Sequence, residues 1–354
     1  MFLKIKEVLK GDKYKEQNDE LRSFMQPQDV MTRLSFAGVD YNEVRRARVQ
    51  IIQENERIFT LGRYIVPPSA STNKKEKVVA LDPQACRAGC LDLKVSVHDY
   101  ITEEGADPAT ATPVETRPFF KTMTVEVAEK DCLLAAKEFT DKGLRPALLD
   151  MAEQDSPGGG YMDGCGAQEE NLFRRSNCML YLDYVSPGRE WDYPIPDYGG
   201  FFVPGVTVIR GVEKEGYPLL EKPFVIDVIC VAAMKNPRTR KSEKTGALKL
   251  REDAEELTLA KIRAIFRIAK ENGVKEMVLC AFGCGAFGNP PGHVAILFRR
   301  VITEYWGFFS KIVFAIVDDH NSMKAHNEQG NVLPFATALS LGSYEEYLKA
   351  DNTL

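Results

Sequence analysis

Two adjacent glutamates, Glu169 and Glu170, follow three consecutive glycines, Gly158, Gly159 and Gly160, in the run PGGGYMDGCGAQEE from Pro157 to Glu170. Three glycines in a row leave the backbone bare, so it can lie close against a ligand and turn N–H groups toward an anion. Gln168 and the two carboxylates head a helical pattern, whose positive N-terminus adds to that attraction. An anion cradle beside a carboxylate pair implies glycosidic chemistry on a nucleotide-like substrate.

Neighbouring positions on a helix diverge by about 100°, so Glu169 and Glu170 cannot grip one sugar from opposite sides. Most glycosidases set two carboxyls about 5–9 Å apart across the scissile bond. This pair instead calls for one carboxyl acting first as acid and then as base, with the substrate's phosphate helping to hold the water. The helix N-terminus favours the ionised form, whereas burial and the neighbouring carboxylate favour the protonated form that a general acid needs. The plainer alternative is that both are first-turn acids complementing the helix dipole. A second glycine-rich loop, Gly283, Cys284, Gly285, Ala286, Phe287, Gly288 and Asn289, follows a strand pattern and precedes a helix starting near His293. That order suits a diphosphate held by backbone N–H groups.

The triple glycine, a short spacer and Gln-Glu-Glu together resemble the signature of poly(ADP-ribose) glycohydrolases, within the macrodomain superfamily. KEMVLCAFGCGAFGNPPGHVA, from Lys275 to Ala295, resembles the second phosphate loop of their microbial-type branch. The resemblance covers about the last two thirds of the chain. It implies a three-layer α/β/α fold and hydrolysis of ribose–ribose bonds in ADP-ribose polymer, releasing ADP-ribose. By the same resemblance Glu170 is the catalytic acid and base, and Glu169 binds ribose hydroxyls or orients the site. Gln168, Gly158 to Gly160 and the loop from Gly283 to Asn289 hold substrate, with Phe287 packed against the distal ribose. The family's strand into the first loop commonly ends in an asparagine at that ribose. LLDMAEQDSPGGG has none, and Asp150 is the expected substitute. Glu126 is the candidate for the adenine amino group. No metal or redox cofactor is called for. Expected partners are poly(ADP-ribose), ADP-ribose and ADP-ribosylated proteins. Removal of single ADP-ribose units from protein or nucleic acid, and non-catalytic reading of ADP-ribose, are the alternatives. Binding alone has no need of a second adjacent carboxylate.

Rival constellations are weaker. Cys86-x3-Cys90 with His98 lacks a fourth zinc ligand. Asp318-Asp319-His320 reads as a charged strand end before a triad or metal site. RTRKSEK, from Arg238 to Lys244, is read as a solvated loop that could also steer a polyanion. Cys284 has no histidine nearby in sequence to activate it and reads as a small loop residue.

The elements that must position this chemistry alternate. TMTVEV, RPALLDM, GVTVIRG, PFVIDVICVAA, EMVLCAF and KIVFAIVDD read as strands. KDCLLAAKEFTDKG, QEENLFRRSNCMLYL, LREDAEELTLAKIRAIFRIAKENG and HVAILFRRVITEYW read as helices. This predicts a mixed sheet covered by helices on both faces, with both glycine loops at C-terminal strand ends, where open α/β sheets bind ligands. Upstream, NEVRRARVQIIQENERIFTLG is helical, VPPSASTNKKEK is a loop, and KVVAL and DLKVSV are strand-like. EEGADPATATPVETRP, from Glu103 to Pro118, is the expected linker between an N-terminal accessory region (1–115), largely helical, and a catalytic macrodomain (116–354). With 354 residues, 44% hydrophobic and 27% charged, the composition is that of a globular protein. A net charge of −5 argues against direct nucleic-acid binding through a basic surface. Eight scattered cysteines and no apolar leader or membrane-length run predict an intracellular protein without membrane association, and non-classical export fits equally well.

Overall fold

The apolar spacing of NEVRRARVQIIQENERIFTLG folds as helix α1 (Tyr41–Leu61), N-capped by the Asp40 carboxylate and closed by Gly62. The hairpin β1 (Arg63–Val66) and β2 (Lys77–Ala80) follows, then β3 (Ser96–Asp99). This computed structural model describes residues 40–68, 75–86, 95–100, 120–183, 191–243, 245–322 and 327–351. The expected linker at 103–118 lies outside them.

Downstream come β4 (Thr124–Glu129), α2 (Cys132–Thr140), β5 (Ala147–Ala152), α3 (Gln168–Arg175), α4 (Cys178–Leu182), β6 (Gly199–Arg210) and β7 (Leu219–Ala232). The small hairpin β8 (Thr239–Lys241) and β9 (Leu248–Leu250) leads into α5 (Glu252–Glu271), β10 (Glu276–Leu279), α6 (Pro291–Glu304), β11 (Lys311–Ile316), α7 (Val332–Leu339) and α8 (Tyr344–Asp351). The main sheet runs β3-β6-β7-β5-β10-β11-β4. β7, β5, β10, β11 and β4 are mutually parallel, whereas β6 pairs antiparallel with β7 and β3 antiparallel with β6. The sheet is therefore mixed, as expected.

Period-two alternation sends side chains to two cores. From β5, Leu148 and Ala152 join α1, α2, α3 and α4 on one face, and Ala147 and Leu149 join α5, α6, α7 and α8 on the other. Phe298 of α6 sits at 0% exposure among Phe266, Phe282, Phe314 and Phe335. Truncating such a ring costs about 3–5 kcal/mol.

Three differences from the sequence reading have physical causes. QEENLFRRSNCMLYL is two helices, because Ser176 turns its hydroxyl back to the Leu172 carbonyl and Asn177 bridges Ala85 O and Thr207 N. Such side-chain bonds compete with helix continuation. RTRKSEK is in part a strand: Thr239–Lys241 pairs with Leu248–Leu250, and Lys244 lies outside the described residues. After β11 the chain adds two helices, α7 and α8, that close the second core.

Candidate active site

The first glycine loop leaves the C-terminal end of β5 and closes around the glutamate pair. Glu169 Oε1 accepts from Gly158 N at 2.9 Å, and its Oε2 accepts from Glu153 N at 2.8 Å. Glu170 Oε1 accepts from Gly160 N at 3.2 Å, and its Oε2 from Ala167 N at 2.9 Å. The last bond is half of a capping box. Gly159 N is itself bonded to Ser156 O. All three glycine amides thus point inward, to the carboxylates or the loop, and not outward to a ligand. Gly158 and Gly159 hold φ of 71° and 53°, the left-handed region open to glycine. A Cβ on Gly159 would lie 3.0 Å from Glu170 Oε1 and 3.2 Å from Glu169 Oε2.

Glu169 is 4% exposed and Glu170 8%. Burial, then the nearby Asp150 carboxyl, push the Glu169 proton affinity well above the ordinary range, against the bonds from Glu153 and Gly158. Gln168 spends its amide on β5: Oε1 accepts from Met151 N, and Nε2 donates to Leu149 O. It ties the head of α3 to the strand while lining the adjoining cavity.

That cavity, of ≈ 840 Å³, runs over the C-terminal strand ends between α2, α3 and the second loop. Of the expected set, Gln168, Gly283, Gly285, Ala286 and Phe287 line it. Among the described residues the N–H groups of Gly285, Ala286 and Phe287 make no internal hydrogen bond, so this loop carries the donors an anion needs. Asn289 is buried and clamps the loop, its Nδ2 donating to Met234 O and Gly283 O. Gly288 N bonds back to Gly285 O. Cys284 is 1% exposed, with burial pushing its thiol up, so it fits the inert loop residue. Lys235 joins the two loops: its Nζ lies 2.5 Å from Glu153 Oε1 and 5.5 Å from the Phe287 ring centre.

Other candidates fall elsewhere. Asp150 is fully buried on β5, off any surface a ribose would touch. Glu126 lies away from the cavity and pairs with Lys311 at 2.6 Å. Asp318 and Asp319 cap turns, accepting from Asn331 and Val332 and from Asn321 and Ser322. His320 does line the cavity. His98 bonds with Tyr100, Glu271 and Asn272, Cys90 lies outside the described residues, and among those residues no group of three acidic, histidine or cysteine side chains is arranged for a metal.

What braces the site leaves no mark in the local spacing of residues. Arg45 and Arg48 of α1 donate to the carbonyls of Asp163 and Gly164, at the far end of the first loop. Arg48 also pairs with Glu213 at 2.6 Å, and Asn171 of α3 donates to the same carboxylate. Burial raises the Glu213 carboxyl, but Arg48 outweighs it and holds it below the ordinary value. Arg175 reaches across the cavity floor to Asp131 at 2.6 Å. These partners are 42 to 165 residues apart in the chain, too far for any local spacing to reveal.

A mixed sheet between two helical layers, with glycine loops leaving parallel strands β5 and β10, defines a three-layer α/β/α fold. Residues 47–210, from α1 to the end of β6, match the family model "Microbial-type PARG, catalytic domain", a span that holds the first glycine loop and the Gln-Glu-Glu of the resemblance. Among solved structures, the chain is similar to the poly(ADP-ribose) glycohydrolase of Thermomonospora curvata, with 24% identity, a TM-score of 0.58, and coverage of 83% of this chain and 100% of that one. The same enzyme bound to the inhibitor ADP-HPD matches with a TM-score of 0.56 at 24% identity, over 83% and 99%. The Deinococcus radiodurans enzyme in complex with ADP-ribose matches at 26% identity with a TM-score of 0.50, over 64% and 88%. No curated protein matches the chain. Among the described residues no helix is long and apolar enough to cross a membrane.

Proposed function

We propose that this chain is a glycosidase that hydrolyses the ribose–ribose bonds of poly(ADP-ribose), with Glu170 as general acid and base. The observation that carries the reading is the convergence of Glu169 and Glu170 on one glycine loop, directly behind Gln168, which lines a cavity together with an amide-rich second loop. The matches to microbial-type PARG and to a glycohydrolase holding ADP-ribose support it.

In this reading the N–H groups of Gly285, Ala286 and Phe287 take the diphosphate, while Gly283, Cys284, Gly288 and Asn289 hold that loop in shape. Phe287 packs on the distal ribose, and Glu169 orients its hydroxyls. Gly158 to Gly160 form the wall that fixes both carboxylates, and Gln168 fixes the helix that bears them. The glycosidic C–O bond breaks as Glu170 gives its proton to the leaving oxygen. Water then bonds to the oxocarbenium-like anomeric carbon and returns a proton to Glu170, so the enzyme ends as it began. Arg45, Arg48 and Glu213 serve as braces, which makes α1 a working part of the site.

The test is incubation with labelled poly(ADP-ribose) beside a mono-ADP-ribosylated peptide. Shortening of polymer with release of ADP-ribose is expected. Cleavage of the peptide alone would transfer the reading to single-unit removal. Tight ADP-ribose binding with neither cleaved would make the chain a reader.

A further inference from the structure

Every carboxylate oxygen of Glu169 and Glu170 has a backbone N–H, yet the carboxyl beneath them has none. Asp150 sits at 0% exposure on β5, opposite Cys230 in the β7 register, on the sheet face shared by Leu148 and Ala152. Neither of its oxygens finds a backbone, amide or hydroxyl donor, and the weakly donating Cys230 thiol is the group beside it. The groups acting on it or acted on by it are Glu169 and Glu170 from α3, Cys178 from α4, Cys230 from β7, Cys280 just past β10, and the Tyr193 hydroxyl. That hydroxyl is also buried without a partner, and no cation stands among these groups. An ionised carboxylate is strongly disfavoured in such surroundings, and two neighbouring ones more so.

We propose that Asp150 is a positioning residue for the reaction above: buried beside Glu169, it keeps a proton stored on the Asp150–Glu169 pair, next to the group that hands one to the leaving oxygen. The inference rests on the glycosidase reading of the site. An asparagine there would bring the same shape without the charge. Burial raises the Asp150 carboxyl to about 7, with the Cys230 thiol lowering it and Glu170 raising it. Asp150 in turn raises Glu169. The stored proton shifts within the pair and is not consumed, since cleavage and water attack return what they take.

The experiment compares the full chain with its Asp150→Asn variant, using carboxyl-carbon NMR and the pH profile of polymer cleavage. Glu169 should titrate at least about one pH unit lower in the variant, and the alkaline limb of kcat/KM should move the same way. A merely structural role would lower the rate without moving either titration. An unchanged Glu169 titration overturns the proposal. If Asp150→Asn does not fold, the wild-type spectrum decides: a protonated carboxyl at pH 7 supports the proposal, and its absence overturns it. A wild type that leaves polymer intact would refute the proposed activity, while the Glu169 titration would still judge Asp150.

Discussion

Gly159→Ala tests whether the first loop is a mould for the carboxylates or only a turn, provided that Gly143→Ala is measured beside it. Both glycines have positive φ, +53° and +75°, and a non-glycine residue there costs about 1–2 kcal/mol. Both variants should therefore melt a few degrees lower, since 1 kcal/mol is worth roughly 2–4 °C in a domain of such size. Their surroundings differ. A Cβ at 143 meets nothing within 4 Å, whereas at 159 it meets Glu170 Oε1 at 3.0 Å and Glu169 Oε2 at 3.2 Å. Those contacts are tight enough that the carboxylates must shift by a few tenths of an ångström. A misplacement of about 1 Å can cost 10²-fold in rate, so Gly159→Ala should lose about tenfold in kcat and Gly143→Ala almost none. The assay is turnover of labelled polymer, with melting curves on the same samples. Equal loss in both variants, or full turnover in Gly159→Ala, would refute the reasoning.

Glu170→Gln keeps the size of the side chain but removes its proton, so polymer cleavage should fall by about 10²–10⁴, while calorimetry finds ADP-ribose affinity little changed. Glu169→Gln should impair turnover and ribose binding together, read as a fall in kcat and a rise in KM. Arg48→Ala removes the Glu213 ion pair and the bond to Gly164 O; a loss of about 1.5–3 kcal/mol in urea unfolding is expected, with turnover reduced through the loosened loop. His293 accepts from Leu250 N through Nδ1, and burial, with Lys249 and Arg240, lowers it to about 4. Its folded value lies below the ordinary 6.5, so the stability it contributes is present above pH 6.5 and is lost as pH falls toward 4. The loss amounts to about 3 kcal/mol. His293→Asn, which keeps an acceptor for Leu250, should flatten that acid slope in unfolding curves.

The architecture was legible because strands of β5 or β11 type are short apolar runs and the helices between them keep a 3.6-residue period. The glutamate pair was legible because its spacing from the glycines is local. What escaped was tertiary. The break after Arg175 depends on Asn177 finding Ala85 and Thr207, and an apolar pattern that continues through it gives no warning. The bracing by Arg45 and Arg48 looked like the polar face of an amphipathic helix, as solvated arginines do. The inward turn of the glycine amides is hidden because glycine content says that a backbone can approach something but not what it approaches. Asp150 stands on a strand buried on both faces, and position alone did not separate a ribose contact from a buried acid.

The inward turn of the first loop changes when the work of assembling the site is done. Two acidic side chains are brought together and given their amide partners as the chain folds, so a substrate arriving later has no carboxyl to reorganise. Recognition and reaction are then divided between two ribbons of backbone: one faces the visitor with its donors open, and the other has already closed on the acids. Changes in the ribbon after β10 can retune which anion is held, without disturbing the protons on the ribbon after β5.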